Sequence, residues 1–171
     1  MEESLDDYTT NEILTLVSLD NQTFEIEKSK VQICDYLQTL TFLDSTQLEI
    51  PIKLNGDLLK IVVDFMEFYE TKPYDRIQKP VPKHFRDCCF INDNRNETFK
   101  EIFYTNLINI QDKKVMMYFV HMINYLGIQP LLDLVCAKIA NIIRDMSTDE
   151  ETKNFLQVSN SDYNEMKKIN D

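Results

Sequence analysis

The chain has 171 residues, 43% of them hydrophobic, with Lys+Arg 18 against Asp+Glu 29 and a formal net charge of -11. That excess of negative charge repels phosphate backbones, so nucleic acid is excluded as a partner and proteins are expected instead. With only two glycines, Gly56 and Gly127, the close-set glycines of a phosphate cradle or dinucleotide fingerprint are excluded too.

Residues 1–12 form an acidic stretch poor in large apolar groups, expected to be a disordered tail rather than a signal peptide. From Ile13 onward, Leu14-Thr15-Leu16-Val17-Ser18-Leu19 alternate with the pattern of a half-buried strand. The polar Asp20-Asn21-Gln22 follows, then alternation returns over Thr23-Phe24-Glu25-Ile26-Glu27, which predicts a β-hairpin. Ser29 is read as the N-cap of a short helix bearing Val31, Ile33, Cys34, Leu37 and Leu40. Leu48-Glu49-Ile50-Pro51-Ile52 supplies a further strand, and its proline places it at an edge or a strand end. Asn55 then caps a helix carrying Leu58, Leu59, Val62, Phe65, Met66 and Tyr69.

Residues 71–97, with Pro73, Pro80, Pro82 and a run of Asn and Asp, read as a long surface loop. His84, Cys88 and Cys89 are its nearest approach to a metal cluster. Adjacent cysteines are ill-placed to share one tetrahedral ion, and a fourth ligand is missing, so no metal or cofactor is expected. The four cysteines are scattered without a disulfide framework, which suits a reducing cytoplasmic or nuclear compartment. No apolar run reaches membrane-spanning length.

The most informative stretch is 112–146, two helices meeting at a sharp corner. Asp112 is a good N-cap, and Val115, Phe119, Met122 and Leu126 keep the helical period. Gly127 supplies a left-handed stop, and Pro130 suits the first turn of the next helix. In that second helix Leu131, Leu132, Val135, Cys136, Ile139, Ala140, Ile142 and Ile143 cover roughly 180°, with Asp133, Ala137, Asn141 and Arg144 opposite. A helix packed on one core needs only about 100° of apolar surface. The excess points either to a helix covered twice, once by its own domain and once by something else, or to a helix buried wholly within its own domain. A capping box between Ser147 and Glu150 then starts a helix reaching Phe155 and Leu156, and residues 161–171 form a polar tail.

Catalysis has little to stand on. His121 and Cys136 lie on neighbouring helices, but no third group orients them, so His121 is read as part of a polar strip with Lys114 and Asn124, and Cys136 as an apolar filler. No catalytic residue is expected.

The run Asn124-Tyr125-Leu126-Gly127-Ile128, then Leu131-Leu132-Asp133, Cys136, Ile139-Ala140-Asn141 and Ile143-Arg144 resembles the S-phase kinase-associated adaptors of SCF ubiquitin ligases. Ser147-Thr148-Asp149-Glu150-Glu151 with Phe155 is similar to a second segment of that family. The resemblance implies an α+β fold of the BTB/POZ kind over residues 13–128, a three-stranded sheet flanked by helices, extended by C-terminal helices over 129–160. It implies a non-catalytic adaptor that joins a cullin to F-box proteins and is a monomer or weak dimer when unbound. Carried over by position, the resemblance implies that Asn124 and Tyr125 face the cullin and that Leu131, Cys136, Ile139, Ile143, Phe155 and Leu156 face the F-box. The rival expectation is a self-associating BTB/POZ scaffold without a ligase role. This chain departs from the family in having no tryptophan, a longer loop at 71–97 and a shorter terminal segment, SNSDYNEMKKIND.

Overall fold

The computed structural model describes residues 12–44, 46, 48–71, 77, 81, 110 and 112–156. The two expected tails, most of the 71–97 loop with its His84, Cys88 and Cys89, and the 99–109 stretch lie outside these residues.

The alternation at the N-terminus becomes a sheet. Strand β1 (Ile13–Val17) pairs antiparallel with β2 (Thr23–Glu27), and Leu14 and Leu16 face Ile26 and Phe24 across the ladder. The turn between them is held by side chains: Ser18 Oγ donates to the Asp20 carboxylate at 2.6 Å, and the Gln22 amide N–H donates to Ser18 Oγ at 2.8 Å. Strand β3 (Glu49–Pro51) joins the other side of β1 in parallel, giving the order β2-β1-β3. Pro51 thus ends an edge strand, where a missing N–H breaks no ladder bond. A parallel partner for β1 requires a crossover, which the helical segment between β2 and β3 provides.

That segment differs from the single helix expected after Ser29. It is a 3-10 turn over Lys28–Ile33, an extended break at Cys34 and then helix α1 (Asp35–Leu43). Ser29 sits inside the turn and donates to the Glu27 carboxylate instead of capping. The apolar spacing accounts for the break: Val31, Cys34 and Leu37 are all buried, and a repeat of three is the 3-10 period rather than the α period. Helix α2 (Gly56–Thr71) follows, with the Leu58 N–H donating to Asn55 Oδ1 at 3.3 Å. Gly56 donates its own N–H to Asp20 Oδ1 at 2.7 Å, tying this helix start to the hairpin turn.

Helix α3 (Lys113–Leu126) begins as expected, the Val115 N–H donating to the Asp112 side chain at 2.9 Å. It threads the centre of the core through Met116, Phe119, Ile123 and Leu126, packed with Phe65, Met66 and Leu59 of α2 and with Leu14 and Leu16 of the sheet. Tyr118 Oη donates to the Lys53 carbonyl at 2.6 Å, and Cys34 Sγ donates to the Leu126 carbonyl at 3.3 Å. Gly127 takes φ 71°, and helix α4 (Gln129–Arg144) leaves at once with proline in its first turn. A Cβ added at Gly127 would stand 2.7 Å from Asp35 Cβ. Gly127→Ala therefore combines a left-handed backbone with a clash against the start of α1, and should cost about 2 kcal/mol in urea denaturation.

Helix α5 (Asp149–Leu156) closes the described chain. Its capping box is set one residue later than the sequence pattern implied. The Glu151 N–H donates to Thr148 Oγ1 at 3.1 Å, and Glu151 Oε2 accepts from the N–H groups of Ser147 at 2.8 Å and Thr148 at 3.2 Å. The later register lets a single carboxylate satisfy two orphan donors.

Candidate functional site

Helix α4 carries the site, and its orientation differs from the expected one. Leu131, Leu134, Val135, Ala137 and Asn141 are the residues turned into the core. Ala137 and Asn141 had been placed on the polar side, so the core-facing stripe is rotated by roughly 130° from the predicted apolar face. Asn141 accommodates burial by donating from Nδ2 to the Ala137 carbonyl at 3.0 Å, while its Oδ1 has no partner among the described residues.

The rotation leaves a second apolar row. Leu132, Ile139, Ala140 and Ile143 are only half-buried, and Cys136 in their midst is exposed. A hollow of about 550 Å³ borders one edge of this row, lined on α4 by Gln129, Asp133, Cys136, Ala137 and Ala140 and also by Ile77 and Val81. Arg144 Nη2 donates to the Val81 carbonyl at 2.8 Å and pins that wall to the end of α4. Among the residues expected to meet an F-box, Cys136, Ile139 and Ile143 share this row. Leu131 does not: it is 0% exposed, enclosed by its own domain, and its assignment to a partner-facing surface is corrected to core. Phe155 is half-buried and Leu156 is 53% exposed on α5.

Asn124 and Tyr125 lie elsewhere, exposed at the C-terminal end of α3. Tyr125 is 60% exposed and packs its ring against Tyr36 of α1, centroids 5.2 Å apart and tilted 42°. Burial, and secondarily the Tyr125 phenol beside it, pushes the Tyr36 pKa up. Next to this pair is a hollow of about 310 Å³ between the strand ends and α3, lined by Val17, Leu19, Pro51, Ile52 and Met122. His121 is exposed with Lys114 and Asn124 along one strip of α3, in keeping with the polar strip read from the sequence.

The cysteines differ from the filler reading in one case. Cys34 is buried, and burial pushes its thiol up to about 11. Cys136 is exposed, and its thiol is raised by its apolar surroundings first and by Asp133 second. A thiol whose folded pKa exceeds its unfolded value near 9.0 stabilises the fold fully below that pH and loses the contribution as pH rises towards 11. Alkylation mapped by mass spectrometry at pH 8 should therefore mark Cys136 in the folded chain and spare Cys34 until denaturant is added. Labelling of Cys34 at the Cys136 rate would contradict this packing.

Two separate surfaces thus stand out, a partly covered aliphatic row on α4 and the Tyr36–Tyr125 pair where α1 meets α3, each beside a hollow. The family model described as "Skp1 family, dimerisation domain" matches residues 129–170, which span α4 and α5. The S-phase kinase-associated protein 1 homolog of Tetrahymena thermophila is 25% identical over 141 residues, covering 82% of this chain and 79% of that protein. SCF ubiquitin ligase complex protein SKP1a of Dictyostelium discoideum is 25% identical over 161 residues, 86% and 85% of the two chains. Suppressor of kinetochore protein 1 of Schizosaccharomyces pombe is 23% identical over 145 residues, 83% of each. The chain is thus similar to Skp1-family proteins over most of its length.

Proposed function

We propose that this protein is an adaptor subunit of an SCF-type ubiquitin ligase, with a BTB/POZ domain that holds a cullin and C-terminal helices that hold an F-box receptor. It acts by proximity, raising the effective concentration of a receptor-bound substrate near the transfer machinery. The observation that carries the reading is the second apolar row of α4, which the domain's own core leaves incompletely covered. Cys136, Ile139, Ile143, Phe155 and Leu156 supply the receptor surface, and Asn124 and Tyr125 supply the cullin surface. Relatives named as SCF ubiquitin ligase complex proteins support the assignment.

Co-expression with a purified F-box domain and the N-terminal domain of a cullin tests it. A ternary complex should elute from size exclusion, and Tyr125→Lys should remove the cullin while retaining the F-box domain. Failure to retain either partner would refute the adaptor reading.

The words "dimerisation domain" in the matching family description favour a second reading, self-association through residues 129–170. Light scattering of the purified chain separates the two: the adaptor alone is a monomer or weak dimer, the scaffold a stable dimer that a charge at Cys136 breaks.

A further inference from the structure

Lys113 occupies the first turn of α3, where unpaired N–H groups carry partial positive charge and a cation is unfavourable. Within the helix no acidic residue joins that turn, and the Asp112 carboxylate at the N-cap is engaged by the Val115 N–H. The ammonium finds its counterpart on another helix. Lys113 Nζ donates to the main-chain carbonyl oxygen of Asn154, in the last turn of α5, and lies 5.3 Å from the centre of the Phe155 ring. Carbonyls at a helix C-terminus and the face of an aromatic ring both favour a cation.

Helix α5 depends on such an anchor. Its 8 residues fall short of the length at which an isolated helix persists in water, about 12. None of its described side chains is buried, and Thr152 and Phe155 alone are half-covered. The box at Thr148 and Glu151 secures the N-terminal end of α5, and the other end meets Lys113.

We propose that Lys113 is a positioning residue: it clamps α5 to the start of α3 and so presents Phe155 and Leu156 in a fixed place. Resting on the receptor-binding reading above, this clamp raises affinity for an F-box by ordering α5 before the partner arrives, so that less freedom is lost on binding.

The test compares Lys113→Met and Lys113→Arg in the full chain. Amide hydrogen exchange in α5 should quicken about tenfold in Lys113→Met, with α3 and α4 unchanged, and return to the wild-type rate in Lys113→Arg, which keeps both the charge and the ring contact. Because a cation leaves an unfavourable helix start, the Tm of Lys113→Met should hold or rise; a merely structural lysine would lower it. Affinity for a purified F-box domain should fall about tenfold in Lys113→Met and recover in Lys113→Arg. Unchanged α5 exchange in Lys113→Met overturns the clamp whatever the binding result. A loosened α5 with undiminished F-box affinity overturns its coupling to the receptor. If the wild-type chain binds no F-box domain, the receptor reading and the coupling fall together, while faster exchange still upholds the clamp.

Discussion

Cys136→Glu is expected to keep its Tm within a degree or two and to lose F-box capture about a hundredfold, roughly 2.7 kcal/mol. The thiol is exposed in the free chain, so a carboxylate there stays largely hydrated and the fold loses little. In a complex the same carboxylate would be buried against an apolar partner without a counter-charge, and Asp133 one turn earlier would add repulsion. Ile139→Glu should abolish capture as well, but it is the less clean experiment. Ile139 is half-buried against the core, so part of its effect will appear as lost stability. Titration of an F-box domain into the Cys136→Glu chain, followed by calorimetry, decides the matter. Full-strength capture would remove α4's second row from the interface, and an unfolded variant would show that row to be core.

Leu131→Ala has the opposite signature. Leu131 is completely enclosed at the start of α4, among Ile128, Leu134 and Val135, which are all 0% exposed. Truncation leaves a cavity in a region pinned by the α3–α4 corner, which has little freedom to collapse. A loss of about 3 kcal/mol in urea denaturation is expected. At a concentration and temperature where the variant remains folded, its F-box affinity should match wild type, because no partner reaches that side chain. Weakened binding by the folded variant would return Leu131 to the interface. The two substitutions lie little more than one helical turn apart, yet one should move binding alone and the other stability alone.

The elements of the described fold were legible where local chemistry decides. Period-two alternation around Asp20-Asn21-Gln22 became the hairpin, Pro51 stands on an edge strand, Asn55 and Asp112 cap their helices, and Gly127 is left-handed. Each depends on one residue and its immediate neighbours. Less legible is the break at Cys34: a spacing of three over Val31, Cys34 and Leu37 also fits one side of an α-helix, although all three are buried apolar contacts. The capping box lay within a run where Ser147 and Thr148 are both competent caps and Glu150 and Glu151 both competent partners, so pattern alone could not choose.

By itself the sequence determined that α4 carries more apolar surface than one small core requires, because hydrophobic periodicity is a property of residue order. Which part of that surface faces inward was left to the packing of one helix against the next. Leu131, Leu134, Val135, Ala137 and Asn141 are buried because the α3–α4 corner at Gly127 sets the rotation of α4 against α3. A helical wheel with an apolar arc this wide has no unique inward direction. Ala137 is small enough, and Asn141 satisfied enough through the Ala137 carbonyl, to be turned in, which leaves Cys136, Ile139 and Ile143 as the less covered flank.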